Sequence, residues 1–298
     1  MRDAFVISVN SSYHNPRQKF ASSTLKISLS IVMWLSRIFI YPIKSLRGIA
    51  ISETQVDRSG PLQDRRWMVV DEQGVFLSQR KLPRMVLIQP HFEGSDLVLT
   101  APGTSPLLIR RWSGKGEWIP VRIWRDSLKL PHPDQTYDEW FSSFLGQPCR
   151  LVYLPNDVIR KVEPPFDDSK WRVSLADGYP LLVVAQASLD LLNARLSSPI
   201  SVEHFRPNLV LADTAPHAED GLNDIRIGSV ELTMVKPCAR CSVVLVDPTK
   251  AKVGVEPLRT LAGYRRMPNS VMFGQNALVV TPGQLRVGNS VEILNARG

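Results

Sequence analysis

Short apolar segments that end at Gly, Pro, Asn or Asp recur along most of this 298-residue sequence. Segments of this kind, rich in β-branched and aromatic residues, are typical of strands in β-rich domains. Residues 71–74 end in Gly and separate the segments 66–70 and 75–77, as the turn of a β-hairpin does. Residues 93–96 separate a second pair of segments in the same way. The pattern therefore predicts a chain built mainly from short strands joined by tight turns.

Two segments show helical spacing instead. Apolar residues recur every three or four positions over residues 137–145 and 188–196. Thr136 and Glu139 give the first segment a capping box, and Gly146 is a typical helix stop. Further strands are predicted at residues 35–41, 107–112, 121–124, 209–211, 225–227, 230–235, 242–246 and 291–294. The expected fold class is α+β, mostly β, with an N-terminal β-barrel-like domain followed by a second β-barrel domain with a few helices.

The length of the chain exceeds the roughly 100–200 residues of a usual single domain, so we expect two domains. Residues 163–168 are polar and proline-rich, which favours a connection between domains near that segment. We place the N-terminal domain at residues 33–155 and the second domain at residues 156–298. Residues 1–32 are expected to form a poorly ordered extension.

The extension is basic and ends in an apolar stretch. That stretch is interrupted by Lys26 and Arg37, which leaves about ten residues where a membrane span needs roughly 20. We therefore expect no stable membrane span. Met33 stands just before the first predicted strand and is a candidate start of the biological chain.

The formal charge of +8 and the pI near 9.6 favour anionic partners. The basic residues are scattered through strand-like segments and match none of the usual nucleic-acid-binding motifs, so we expect a basic small-molecule pocket and no nucleic acid partner. Only three cysteines occur, too few for a disulfide framework in a chain of this length. A reducing compartment, and hence a cytoplasmic location, is expected.

Two of these cysteines, Cys238 and Cys241, form a Cys-x-x-Cys segment at the end of a predicted strand. Lys236 and Arg240 lie beside them, and nearby positive charge favours the thiolate, which binds metals and acts as a nucleophile. The spacing alone leaves three interpretations open: a metal or cofactor ligand, a redox or nucleophilic pair, and buried structural thiols.

Two other segments are equipped to bind an anion. Residues 41–48 place two cations, a hydroxyl and a glycine after the first predicted strand, which suits a phosphate or an oxyanion. Arg65 and the segment 205–208 add guanidinium and amide groups with defined hydrogen-bonding geometry. Each arginine taken singly is also compatible with a solvated or ion-paired surface position.

Seven segments have distinctive sequences and follow one another in a fixed order: residues 41–48, 64–67, 78–80, 177–180, 205–208, 238–241 and 273–276. In sequence and order these motifs resemble the MOSC family, named after the C-terminal domain of molybdenum-cofactor sulfurase. The chain is most similar to the two-part proteins in which an N-terminal β-barrel domain precedes the MOSC domain, as in the amidoxime-reducing component and its bacterial relatives. The resemblance covers nearly everything after residue 33.

The resemblance implies a site for a molybdenum cofactor, the metal carried by molybdopterin. Cys241 would be the catalytic and metal-binding residue, because the second cysteine of the segment supplies the protein thiolate in this family, and Cys238 would be its neighbour. A soft thiolate is a reasonable ligand for a metal already held by sulfur atoms. The implied cofactor-binding residues fall into a phosphate group and a pterin group: Lys44, Ser45 and Arg65, then Arg206, Asn208, Ala239 and Arg240.

The implied activity is reduction of N-hydroxylated or N-oxide small molecules by a molybdenum-cofactor-dependent oxidoreductase. No cysteine follows Cys241, so we expect no iron–sulfur cluster and an external electron-donor protein that contains flavin or haem. The pyridoxal-phosphate domain of the sulfurase has no counterpart, so no such site is expected. The proton donor is expected to be water or Asp247.

Two rivals from other classes stay open. The first is a non-catalytic carrier that holds the molybdenum cofactor, or sulfur as a persulfide on Cys238 or Cys241. The second is a zinc-binding structural module, which would need further ligands such as His204 or His217.

Overall fold

Strands dominate the computed structural model, which describes residues 32–164, 166 and 170–297. The first eleven strands are β1 (Trp34–Ile40), β2 (Ile49–Ile51), β3 (Glu53–Asp57), β4 (Gly60–Pro61), β5 (Trp67–Asp71), β6 (Gln89–Glu93), β7 (Asp96–Thr100), β8 (Leu107–Ile109), β9 (Glu117–Ile123), β10 (Asp126–His132) and β11 (Cys149–Tyr153). The others are β12 (Leu181–Ala185), β13 (Leu209–Ala212), β14 (Leu222–Ile227), β15 (Val230–Ala239), β16 (Arg266–Met267), β17 (Ser270–Thr281), β18 (Gly283–Arg286) and β19 (Val291–Ala296).

Helices are short and few in this part of the chain. The α-helices are α1 (Gln135–Leu145), α2 (Gln186–Asn193) and α3 (Leu258–Ala262). Four 3-10 turns lie at Pro83–Leu87, Val202–Phe205, Ala218–Gly221 and Ser242–Leu245. The predicted α+β, mostly β fold class is thereby confirmed.

A nine-stranded sheet carries the centre of the fold, in the order β19-β14-β15-β17-β12-β13-β1-β2, with β16 paired to β17. Strand β12 runs parallel to β13, and β1 runs antiparallel to β13 with Ile38 opposite Leu209. Four smaller sheets pair β9 with β10, β5 with β11, β3 with β4 and β18, and β7 with β6 and β8. Because β1 and β3 pair with strands far along the sequence, both predicted domains contribute to shared sheets, and the boundary at residues 155 and 156 stays a prediction.

The core lies on both faces of the large sheet. Along β12, Leu181 and Val183 face one apolar cluster, whereas Leu182 and Val184 face another. Such a continuous apolar run is expected where a strand with a parallel neighbour is covered on both faces. Each fully buried side chain of this size contributes roughly 1.5–3 kcal/mol to folding. The sheet is therefore a firm support for the loops that adjoin it.

The first predicted helix is confirmed, but its cap is not the one expected. Asp134 is the N-cap residue and accepts a hydrogen bond from the Thr136 backbone N at 2.9 Å. The Thr136 hydroxyl also donates to Asp134, at 2.8 Å, so the capping box predicted from Thr136 is wrong. Gly146 ends the helix in the left-handed conformation, with φ 73°, as predicted.

Other local differences have similar causes. Residues 242–246, predicted as a strand, begin with a 3-10 turn at Ser242–Leu245, because the chain reverses after β15 to bring Val244 into the core. The second helix starts two residues earlier than predicted, at Gln186. Residues 1–31 of the predicted extension lie outside the described residues, as do residues 165 and 167–169 of the predicted connection. Within residues 32–164, 166 and 170–297, no helix has the length and apolar character required to cross a membrane.

Candidate functional site

Loops that adjoin β1, β5, β12, β13 and β15 meet around a cleft of about 150 Å³, which we call the anion cleft. Its charged lining consists of five cations and one carboxylate: Lys44, Arg65, Arg80, Arg206, Arg240 and Asp177. An excess of fixed positive charge in a concave site favours an anionic ligand. Seven of the eight residues predicted for the site line this cleft: Lys44, Ser45, Arg65, Arg206, Asn208, Arg240 and Cys241. The eighth, Ala239, is exposed at the end of β15 and is not part of the lining.

Tyr41 holds two of these cations together. Its buried ring lies 4.1 Å from the guanidinium carbon of Arg65 and 4.2 Å from that of Arg206, measured to the ring centroid. Cation–π contacts of this kind contribute about 0.5–2 kcal/mol each. The Tyr41 hydroxyl donates to the Pro207 backbone oxygen at 3.1 Å, which fixes the ring. Two positive charges are thus held against one ring, and an anion bound in the cleft would stabilise both.

Arg65 is fixed from behind by a buried carboxylate. Its Nη1 donates to Asp64 Oδ2 at 2.7 Å and to Asn208 Oδ1 at 3.2 Å. The Asp64 side chain is fully buried, and its Oδ1 accepts from the Tyr41 backbone N at 2.8 Å. Burial raises the pKa of Asp64, an effect that the charge of Arg65 opposes. Arg65 therefore enters the cleft as one half of a buried ion pair, with part of its guanidinium fork held in place.

Lys44 also lines the cleft, and its side chain is buried. Its Nζ donates to the Leu175 backbone oxygen at 2.9 Å and forms an ion pair with Asp177. Burial lowers the pKa of Lys44 to about 8, although Asp177 works in the other direction. Burial would raise the pKa of Asp177, but the charge and hydrogen bond of Lys44 bring it below the usual range. Trp124 Nε1 also donates to Asp177 Oδ1, at 3.0 Å.

Arg206 and Asn208 precede β13 and tie the cleft to the sheet. Arg206 adopts a left-handed backbone conformation, with φ 54°, and its Nη1 donates to the Leu46 oxygen at 2.6 Å. Burial lowers the pKa of Arg206 to about 10. Asn208 Nδ2 donates to the Phe39 oxygen, and its Oδ1 accepts from the Leu182 backbone N, both at 3.2 Å. The amide of Asn208 therefore joins β1 and β12 at the floor of the cleft.

The two thiols occupy different environments. Cys238 is half-buried, and its sulfur accepts from Arg240 Nη1 at 2.9 Å. Cys241 is exposed and caps the 3-10 turn that begins at Ser242. Arg240 is anchored by Nη2, which donates to the Phe205 oxygen at 2.7 Å, while its buried Nε has no hydrogen-bond partner among the residues that the structure describes. Cys241 is thus the more accessible sulfur on the cleft, beside a guanidinium with a spare donor.

The donor set of the cleft fits a phosphate-bearing cofactor better than an all-protein metal site. Among residues 32–164, 166 and 170–297, no three His, Cys, Asp or Glu side chains lie close enough together to hold a metal ion. His204, a ligand in the zinc alternative, places its Nδ1 2.9 Å from the Val244 oxygen, and the ring of His217 lies 5.8 Å from that of Tyr264. One exposed thiol among five cations suits a metal whose other ligands come with an anionic cofactor.

Asp247, considered above as a proton donor, caps a turn. Its Oδ1 accepts from the backbone N atoms of Thr249 and Lys250 and from the Thr249 hydroxyl, at 2.7–3.0 Å. Burial would raise the pKa of Asp247, but these hydrogen bonds hold it below the usual range. An aspartate that remains ionised in this way is a poor source of protons.

Several residues of this site had no role predicted from the sequence. Tyr41 and Asp177 lie within the quoted motifs, but neither their spacing nor their type indicated a cation–π contact or a partner for Lys44. Arg80 also lies within a motif, and it lines the cleft. Trp124 ends the predicted strand at residues 121–124, and no local signal marked it as part of a site.

The two halves of the chain match two models of one family. Residues 32–148 match the MOSC N-terminal beta barrel domain, and residues 170–292 match the MOSC domain. The mitochondrial amidoxime-reducing component 1 of Mus musculus is 36% identical over 281 residues, covering 87% of this chain and 82% of that protein. The mitochondrial amidoxime reducing component 2 of Homo sapiens is 33% identical over 276 residues, covering 86% and 82%.

Proposed function

This chain belongs to the MOSC family, and we propose that it is a molybdenum-cofactor-dependent oxidoreductase that reduces N-hydroxylated or N-oxide small molecules. The names of its relatives, amidoxime-reducing components, support this class of reaction. The observation that carries the proposal is the convergence of five cations and the exposed Cys241 thiol on one cleft. An anionic cofactor and a soft metal need that combination.

The phosphate of the cofactor would be held by Lys44, Ser45 and Arg65. Arg65 has five N–H donors in a planar fork, and its known partners leave some of them free to bind a second anion. Lys44 adds a compact charge, which a bound phosphate would stabilise in the charged form. The backbone oxygen of Ser45 accepts from Gln79 Nε2 at 2.7 Å, which fixes the loop. The Ser45 hydroxyl would then bind the phosphate.

The pterin and the loop around the metal would be held by Arg206, Asn208, Ala239 and Arg240. Arg206 and Arg240 each use part of the guanidinium to bind a backbone oxygen, which fixes the orientation of the rest. The spare Nε of Arg240 would find its partner on the cofactor. Asn208 acts through the strands it joins, and Ala239 places the cysteine loop at the end of β15.

Cys241 would bind the metal through its sulfur. When bound, the cofactor would supply two electrons that cleave the N–O bond, and two protons complete water and the N–H product. The protein would contribute a fixed thiolate and a positively charged wall. Because Asp247 is held ionised by its turn, we assign proton delivery to solvent water.

Electrons would come from a separate protein that contains flavin or haem. The three cysteines of the sequence cannot provide the four thiolates of an iron–sulfur cluster, and Cys149 is buried with its pKa raised by burial to about 11. The cytoplasmic location stays a prediction, and the names of the relatives place those proteins in mitochondria.

The test is reduction of benzamidoxime by protein made in a host that synthesises the molybdenum cofactor. We expect the protein to convert benzamidoxime to benzamidine when a reduced viologen dye supplies the electrons. Chromatography measures the benzamidine formed. Cys241→Ser should abolish this turnover, whereas Cys238→Ser, the matched control, should retain it.

The exposure of Cys241 also favours the carrier alternative, because an accessible thiol can hold sulfur or release a cofactor. A protein that retains molybdenum, fails to reduce benzamidoxime or other N-hydroxylated compounds, and restores a cofactor-free molybdoenzyme on mixing would contradict the reductase and support the carrier.

A further inference from the structure

A second cavity, of about 590 Å³, adjoins the anion cleft, and we call it the tryptophan cavity. It is lined by Trp124, Arg125, Asp126, Arg160, Lys161, Glu163, Asp177 and Gly178. Asp177 and Gly178 line the cleft as well, so the two spaces share a wall. The lining of the tryptophan cavity has three cations and three carboxylates, unlike the strongly cationic cleft.

The carboxylates of this cavity already have partners. Arg160 Nε donates to Asp126 Oδ2 at 2.6 Å, and Lys236 Nζ lies 2.9 Å from Glu163 Oε2. Asp177 is paired with Lys44. The lining itself thus carries as many carboxylates as cations, whereas the cleft has five cations and one carboxylate, so a ligand without net charge fits this space better than the anion expected next door.

Trp124 occupies a position where its residue type is unfavourable. It is the first residue of the two-residue turn between β9 and β10, in which Ile123 pairs with Asp126. Its φ is 55°, in the left-handed region, and the first position of such a turn normally takes glycine. For a bulky residue this conformation costs about 1–3 kcal/mol, and such strain persists mainly at functional sites.

The indole is nevertheless held firmly. Its Nε1 donates to Asp177 at 3.0 Å, the Phe76 ring lies 5.0 Å away at an angle of 52°, and the Arg80 guanidinium lies 4.4 Å from the indole centroid. Phe76 and Arg80 line the anion cleft and not the tryptophan cavity, whereas Trp124 lines the cavity and not the cleft. The indole therefore lines the cavity while it contacts two residues of the cleft lining, and it is still 44% exposed.

We propose that Trp124 is a stacking platform that selects N-hydroxylated substrates whose amidoxime group is attached to a planar aromatic ring. The inference rests on the proposed reductase function and adds its substrate class. A flat, neutral arylamidoxime would lie on the exposed indole within the tryptophan cavity. Its N–O end would point across the shared wall at Asp177 and Gly178 towards the anion cleft. The turn itself needs no large side chain at this position, because glycine would form it without strain. A ligand stacked on the indole would account for the tryptophan there.

Calorimetric titration of the resting holoenzyme, without an electron donor, tests the platform independently of turnover. We expect Trp124→Gly to weaken benzamidoxime binding about tenfold, because an aromatic pair contributes about 0.5–1.5 kcal/mol beyond the area it buries. Acetamidoxime, which has no ring, should bind wild type and variant within about twofold of each other. Trp124→Phe keeps a ring but loses the hydrogen bond to Asp177, and it should retain most of the preference.

A melting curve and the molybdenum content accompany each variant. Trp124→Gly relieves the backbone strain but loses the contacts with Phe76, Arg80 and Asp177, so the melting curve serves to show that the variant is folded, and the variant should retain its molybdenum. Equal benzamidoxime affinity in wild type and Trp124→Gly, equal loss for both ligands, or lack of binding by wild type would overturn the inference. Tryptophan-dependent binding without any reduction would leave the inference standing and contradict the reductase function instead.

Discussion

The anion cleft and the tryptophan cavity share a wall, yet they are built on different principles. The cleft gathers five cations, three of which have buried supports: Arg65 on Asp64, Lys44 on a backbone oxygen, and Arg206 against Tyr41. The cavity lining has as many carboxylates as cations, a half-exposed ion pair at Glu163, and a strained tryptophan. We propose that the two regions have different tasks: the cationic cleft would hold the cofactor, and the tryptophan cavity would receive the exchangeable substrate.

Removing one cation of the cleft, and in a second variant the cation that pairs with Glu163 of the cavity, should give the largest contrast. Arg65→Met leaves the fully buried Asp64 without its partner, and breaking a buried ion pair in this way costs about 3–5 kcal/mol. Lys236→Met breaks the half-exposed pair with Glu163, which should cost under about 1 kcal/mol. Urea denaturation of the two variants measures both. Similar losses would show that the cleft is no more dependent on buried charge than the cavity, and Asp64→Asn combined with Arg65→Met should recover stability if the unpaired carboxylate is the cause.

A smaller effect is expected from titrating Lys44. Its pKa is lowered to about 8 by burial, and a bound anion would raise it, so anion affinity should be constant below that pH and fall as pH rises through it. Sulfate keeps its charge over this range, and its affinity should drop roughly tenfold between about pH 7 and about pH 9. Calorimetry measures the affinity in protein prepared without the cofactor.

Lys44→Met is the control for that experiment, because it should bind sulfate weakly with little dependence on pH. A wild-type affinity that stays flat through pH 8 would mean that Lys44 does not contact the anion. The same shift has an opposite consequence for folding. Since the pKa of Lys44 is lower in the folded chain, the unfolded chain binds more protons above pH 8, and this group adds stability as pH rises from there.

The smallest effect is expected at the shared wall. A Cβ added to Gly178 would lie 2.6 Å from Glu163 Cδ, at the flexible end of a half-exposed side chain. Gly178→Ala should therefore displace Glu163 towards solvent and change the stability by less than about 1 kcal/mol, because such surface pairs contribute little. Sulfate binding should not change. A loss comparable with that of Arg65→Met, measured by the same denaturation, would show that this wall is as rigid as the cleft.

The sequence predicted the elements that depend on local patterns. The strand at residues 35–41 and the helix stop at Gly146 were recovered because a segment rich in β-branched and aromatic residues and a terminal glycine act locally. The MOSC resemblance is confirmed by the family models. Of the eight site residues that it implied, seven line one cleft. The pairing of β1 with β13 was not predictable in the same way, because it joins residues more than 170 positions apart and depends on the whole sheet.

The remaining misses share a physical reason. Residues 242–246 are apolar and look like a strand, but the chain must turn there to bury Val244. Trp124 was placed in a strand because its turn lacks the usual Gly, Asn or Asp signal, and strain of this kind contradicts local preference. Tyr41 contacts Arg65 and Arg206, which come from distant segments, so only the folded chain reveals these partners.

The central claim is that Cys241 holds molybdenum at the anion cleft. Its most direct test is the molybdenum and pterin content of wild type, Cys241→Ser and Cys238→Ser, purified from one cofactor-competent host and measured by elemental analysis and pterin fluorescence. We predict nearly one molybdenum per chain in wild type and in Cys238→Ser, and almost none in Cys241→Ser. Molybdenum that is lost in Cys238→Ser and kept in Cys241→Ser would contradict the assignment.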